Sequence, residues 1–170
     1  MSPGEFSSTL RDWLCGATRV VIAGVGNTLR RDDGLGPEFV KRLTGLYGNI
    51  MVLDCGPVPE SYVGPIRRFN PSHILIVDAA DMGLSPGSFK LVYNPKILGV
   101  SISTHSLPIN FFTEYLQSQT STKIALLIIQ PRDTTIGEGL SPEVEDTVNT
   151  TSKIVKDRLK LYSGLEPSYV

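Results

Sequence analysis

After His73 the run "ILIV" at 74–77 has no polar position before Asp78. A strand with one wet face alternates apolar and polar residues, whereas a strand covered on both faces does not. A chain holding such a strand must cover both sides of it, and helices packed on either side of a parallel sheet do this. The remaining sequence supplies the parts. "RVVIAGVG" at 19–26 is a β-branched run ended by glycine, "IMVLDCG" at 50–56 is a second strand, and "KIALLIIQP" at 123–131 is the last.

Helical patterns lie between these runs. Phe39, Val40, Leu43 and Tyr47 fall at helical spacing, with Pro37 in the first turn. In "ESYVGPIRRF" at 60–69, Val63, Ile66 and Phe69 share one face, and Gly64-Pro65 blurs the start. "STHSLPINFFTEYLQS" at 103–118 reads as a helix with Ile109, Phe112 and Leu116 inward, capped by Thr104 or Ser106. The last helix carries the fullest signal. Ser141 stands at the N-cap, Pro142 at the first position, and Glu143 and Glu145 in the first turn. Val144, Val148, Val155, Leu159 and Tyr162 form its apolar stripe. "SFKLVYN" at 88–94 alternates more and follows the turn "SPG", which suits an edge strand. Strands alternating with helices imply parallel pairing, so the expected fold is α/β, a three-layer α/β/α sandwich.

The chain has 170 residues, one domain by length. Residues 19–170 are expected to form a single α/β domain, preceded by an N-terminal extension, residues 1–18, in which Leu10, Trp13 and Leu14 pack as a short helix. That segment lacks the cationic start and apolar core of a signal peptide, and no apolar run approaches the ~20 residues of a membrane span. Net charge is -1, which argues against a basic nucleic-acid face or a polybasic membrane patch. Cys15 and Cys55 are far apart and outside metal-binding spacing. They are expected as free thiols in a cytoplasmic protein.

In sheets of this class, ligands bind beyond the carboxyl ends of the strands. Three strand ends carry aspartate: Asp33 in the loop after the first strand, Asp54 ending the second, and Asp78 ending the third, with Asp81 three residues on. His105, in "STHSLP", would join the same rim. Two carboxylates and an imidazole make a partial shell for a borderline dication such as nickel, zinc or iron. The loop "GVGNTLRRDDGLG" at 24–36 makes the same point differently. Its glycines suit a phosphate turn, yet it has no P-loop lysine, and Asp32-Asp33 would repel a phosphate but welcome a dication. Each residue alone has an ordinary structural role: aspartates cap helices and form Asx-turns, His73 opens a strand, Arg30 and Arg31 form a solvated loop face or dock an acidic partner, and Asn27 shapes the turn.

"GVGNTLRRDDGLG", "VLDCGPVPE", "LIVDAADMGLSPGSFKL", "STHSLPINF" and "IIQP" occur in this order. Together they resemble the NiFe-hydrogenase maturation endopeptidases, and the branch serving formate-hydrogenlyase or membrane-bound hydrogenases most of all. The likeness spans about residues 20 to 160. It implies a five-stranded, mostly parallel twisted sheet with one antiparallel strand, for which "SFKLVYN" is the candidate. It implies an endopeptidase that removes the C-terminal extension of the hydrogenase large-subunit precursor once nickel is inserted. By motif match its nickel-recognising residues become Asp33, Asp78 and His105. The family often has two glycines after the second-strand aspartate, whereas this chain has "DCG".

The mechanism expected on that basis has the precursor bring its own nickel, with no metal held tightly by the free enzyme. Asp33, Asp78 and His105 complete the coordination, and the metal or an adjacent carboxylate polarises the scissile carbonyl or activates water. Asp33, Asp78 and Asp54 are the catalytic candidates, Asp54 as general base or positioning group. Three alternatives compete: a non-catalytic chaperone that checks the nickel site of the precursor, a cysteine peptidase using Cys55 and His105, and a nucleotide-binding domain. The last lacks the G-x-G-x-x-G spacing.

Overall fold

The structure, a computed structural model, describes residues 1–93, 114 and 122–162. Its elements run α1 (Pro3–Trp13), β1 (Val20–Val25), α2 (Leu35–Lys41), β2 (Ile50–Gly56), α3 (Val63–Phe69), β3 (His73–Ala79), β4 (Phe89–Tyr93), β5 (Lys123–Ile129) and α4 (Pro142–Leu159). The five strands form one sheet in the order β2-β1-β3-β5-β4. β1 pairs in parallel with β2 and β3, β3 in parallel with β5, and edge strand β4 is antiparallel to β5. The expected mixed sheet and its antiparallel strand are thus present. The expected helix at 103–118 lies outside the described residues except for Glu114, which is helical.

Each face of the sheet has its own apolar cluster, as the unalternating β3 requires. Val20, Ile22, Leu75, Val77, Ala125 and Leu127 pack under α1, α2 and α4. Val21, Ala23, Ile74, Ile76, Leu126 and Ile128 pack on the other face with Ile66 of α3. β1, β3 and β5 are buried almost from end to end. Removing such surface from water, at about 25 cal/mol per Å² of apolar area, is the main force holding the layers together.

Helix α1 packs into the first cluster. Ser2 and Glu5 cap it reciprocally, Ser2 N donating to Glu5 Oε2 and Glu5 N to Ser2 Oγ. Phe6, Leu10 and Trp13 are buried, and Phe6 meets Phe89 edge-on at 5.6 Å. Helix α2 is shorter than its periodicity suggests. It ends at Lys41, Gly45 and Gly48 follow at positive φ, and Tyr47 is exposed rather than part of a buried stripe. At α4 the expected stripe is buried at Val144, Val148, Val155 and Leu159, with Thr151 and Ser152 filling the turn between.

Candidate active site

The carboxyl ends of the four parallel strands lie at one edge of the sheet, and their loops form the rim. The loop after β1 is built on close backbone contact. A Cβ on Gly36 would overlap Val25 and lie 2.6 Å from the Val77 carbonyl oxygen, and one on Gly24 would overlap Gly36. Gly26, at φ +136°, lies against the Asp33 carbonyl. These glycines let the first turn of α2 rest directly on β1 and β3. Their purpose is packing, which resolves why a glycine-rich loop here carries acids in place of a phosphate.

The two adjacent aspartates have different surroundings. Asp32 is fully buried. Its Oδ2 accepts from Arg132 N at 2.8 Å, Asp133 N at 2.9 Å and Ser141 Oγ at 2.7 Å, and its Oδ1 accepts from Ser141 N at 2.6 Å. Buried carboxylates require such pairing. Ser141 holds the N-cap position of α4 with extended backbone, but its hydroxyl serves Asp32 instead of the helix. Asp32 thereby ties the β1 loop to the loop between β5 and α4. The tie is reinforced by Asp32 N donating to Asp133 O, Arg31 N to Gly137 O and Gly137 N to Leu29 O.

Asp33 is half-buried, and its Oδ2 accepts from Asn27 N at 3.1 Å. Asn27 also shapes the turn, its Oδ1 accepting from Leu29 N. Arg31 just before the aspartates has φ +46°, a strained left-handed conformation for a residue with a side chain. Both arginines are engaged within the chain: Arg30 Nε donates to Thr134 O, and Arg31 pairs with Asp133 at 3.2 Å.

Asp78 comes to the same place from β3. Its carboxyl is held well above the usual carboxylate range, first by desolvation and second by the charge of Asp33, against one backbone hydrogen bond from Ala79. Asp33 and Asp78 thus lie within electrostatic reach of each other, as two acids that repel. A dication between them would relieve both the desolvation and the repulsion. His105 lies outside the described residues. Among the described residues no three His, Cys, Asp or Glu side chains are grouped closely enough to hold a metal.

Asp54 stands apart from this pair. It pairs in register with Gly24, which on its other side pairs with Val77. Side chains at matching positions of parallel strands share a face, so Asp54 lies on the side of Ile50 and Val52, and Asp78 on that of Ile74 and Ile76. Asp54 is exposed, accepts from Gly56 N at 3.0 Å as an Asx-turn, and acts electrostatically on Lys41 of α2. Cys55 occupies a bulge between β1 and β2. It is buried, and burial followed by the charge of Asp54 pushes its thiol up to about 12. A nucleophilic cysteine needs the opposite shift, so the geometry does not support Cys55 as a nucleophile. Sequence reasoning missed the role of Asp32, although its position beside Asp33 was visible.

Among the described residues no helix is long and apolar enough to cross a membrane. The family model for hydrogenase maturation proteases of the HycI type matches residues 37–158. The hydrogenase 3 maturation protease of Escherichia coli K12 is 32% identical over 146 residues, covering 85% of this chain and 90% of the relative. The crystal structure of a NiFe-hydrogenase maturation protease from Thermococcus kodakarensis superposes with TM-score 0.82 and 36% identity, covering 89% of this chain and 99% of that one. The solution structure of an Escherichia coli HycI endopeptidase gives TM-score 0.73 and 30% identity, covering 82% and 90%.

Proposed function

The chain belongs to the hydrogenase maturation proteases, and from that premise we propose that it is a nickel-dependent endopeptidase of the NiFe-hydrogenase large-subunit precursor. It removes the C-terminal extension after nickel insertion, acting in the cytoplasm. The observation that carries this reading is the Asp33–Asp78 pair, with ionisation of Asp78 disfavoured by desolvation and by Asp33. Such a pair is costly unless a cation is expected.

Nickel enters as part of the substrate. Asp33 arrives on a loop fixed by Asn27 and Gly26, and Asp78 at the end of a buried strand, so neither has to be ordered on binding. A precursor lacking nickel would meet two carboxyl groups with no charge to balance them. A loaded precursor meets ligands already placed, with His105 assigned as the third. Asp33, Asp78 and His105 would hold the metal, which when bound would supply polarisation of a carbonyl or activation of a water. Asp54, on the far face, is kept as a candidate for positioning or proton transfer.

Intact-mass measurement on nickel-loaded and nickel-free precursor tests this. Loss of a C-terminal peptide from the loaded form alone is the expected result. Cleavage of both forms would sink the nickel-checking role, and binding without cleavage would leave a chaperone. Asp33→Asn, Asp78→Asn and His105→Ala should each lower processing about a hundredfold or more. Asp54→Asn should match that loss only if Asp54 takes part in the chemistry.

A further inference from the structure

We propose that Leu29 and Ile136 form a docking surface for an apolar segment of the large-subunit precursor close to its scissile bond. The proposal rests on the peptidase reading above. Leu29 is 63% exposed and Ile136 87%. Isolated exposed apolar residues are ordinary. These two differ in how they are held. Gly137 N donates to Leu29 O and Arg31 N to Gly137 O, both at 2.9 Å, so the backbones beside the two side chains are bonded to each other. The buried Asp32 carboxylate anchors both loops from beneath. Neither side chain rides on a loop free to fold inward, and little order would be lost on binding.

The position points to the occupant. Leu29 lies four residues before Asp33 on the loop that carries it. Val58, in the loop after β2, is 44% exposed, and Leu84, after β3, is 41% exposed. Each of the four parallel strands is therefore followed by a loop bearing an exposed large apolar residue, at the edge of the sheet where Asp33 and Asp78 meet. Several nearby charges are engaged within the chain. Arg31 pairs with Asp133, Arg132 with Glu143, and Arg30 bonds to Thr134 O. Apolar side chains beside two arginines already paired with carboxylates suit an apolar segment better than an acidic one.

The test uses the full-length protein and nickel-loaded precursor, with Leu29→Asp, Ile136→Asp and the conservative Ile136→Val. Precursor affinity is read by biolayer interferometry, cleavage by intact mass, and folding by thermal melting. Each aspartate variant should raise Kd and KM on the order of tenfold. Their kcat at saturating precursor should stay near that of the parent, which is the signature of lost uniform binding. Ile136→Val should bind normally, and all melting temperatures should agree. Normal affinity in both aspartate variants that still cleave would overturn the docking surface and leave the peptidase reading intact. Ile136-dependent binding without cleavage would support the surface and remove the peptidase. Absence of both binding and cleavage in the parent protein would remove both. A parent dimer made monomeric by Ile136→Asp, with precursor affinity unchanged, would overturn the proposal in favour of self-association.

Discussion

The carboxylate of Asp32 is joined twice to Ser141, 109 positions away: Ser141 N meets Oδ1 at 2.6 Å and Ser141 Oγ meets Oδ2 at 2.7 Å. Two further amides, of Arg132 and Asp133, bond to Oδ2. This one side chain therefore fixes the start of α4, the loop after β5 and the turn that presents Asp33. Removing it strands four part-buried donors at once. Asp32→Ala should destabilise the protein by on the order of 3 kcal/mol or more, as several donors lose their acceptor, whereas Ser141→Ala, which loses one charge-assisted bond, should cost about 1.5–3 kcal/mol. Asp32→Asn should also be unstable, because either amide orientation turns an NH2 group toward at least one backbone N–H. Urea denaturation of the three variants ranks them, and an Asp32→Asn curve matching the parent would refute this account.

Asp78 stands in the opposite condition, since its surroundings disfavour its charge. Its folded-state carboxyl binds a proton more tightly than in the unfolded chain, through desolvation and then Asp33. Above the ordinary carboxylate range near 3.9, the folded form holds more proton than the unfolded, so stability falls as pH rises through that window. Asp78→Asn abolishes this effect. In metal-free protein the variant should melt higher than the parent at pH 7, with the gap closing as pH falls toward about 4, while processing is lost. A variant melting lower at pH 7 would mean the Asp78 carboxylate is held by partners that stabilise its charge.

Much of this arrangement was legible in the sequence, and the rest was not for identifiable reasons. β1, β2 and β3 were marked by apolar runs that end in glycine or aspartate, β3 also by its lack of alternation, and β4 by its alternation. Asp33 and Asp78 were legible because parallel topology brings strand ends together wherever they fall in the chain. Asp32 was not, because its partners Arg132, Asp133 and Ser141 are about a hundred residues away and three of its four bonds come from backbone amides. Backbone donors leave no residue signature. The placing of Asp54 depended on register: it shares a strand end with the other aspartates, but the pleat sends its side chain to the opposite face. The span of α1 was only partly legible, because its buried Phe6 meets Phe89, a contact between distant elements.

The two cysteines should separate cleanly by reactivity. Cys15 is exposed and Cys55 buried, with the Cys55 thiol pushed up to about 12. The thiolate is the reactive form, so at pH 8 very little of Cys55 can react. Iodoacetamide applied to folded protein should label Cys15 and spare Cys55, as peptide mass mapping would show, and both should label in urea. Cys55→Ser should keep its processing rate. Rapid Cys55 labelling in the folded state, joined to loss of activity, would restore the cysteine-peptidase reading.

His73 opens β3 at the end of the sheet opposite the aspartates, buried against the edge of Trp13 at 5.0 Å. Its Nδ1 lies 2.9 Å from Ser72 Oγ, and which of the two donates depends on the tautomer of the ring. Nε2 is buried with no hydrogen-bond partner among the described residues. Burial, and after it the neighbouring Lys123, lower the pKa of His73 below its usual value, with the Trp13 carbonyl opposing. The unfolded chain therefore takes up a proton near pH 6.5 while the folded protein resists. Stability is complete above that pH and declines as pH falls through the window below it. His73→Phe removes the titrating group and keeps an aromatic ring against Trp13. The parent should lose melting temperature between about pH 7 and 5 more steeply than this variant. Parallel curves would mean that His73 stays neutral in both states or is charged in both.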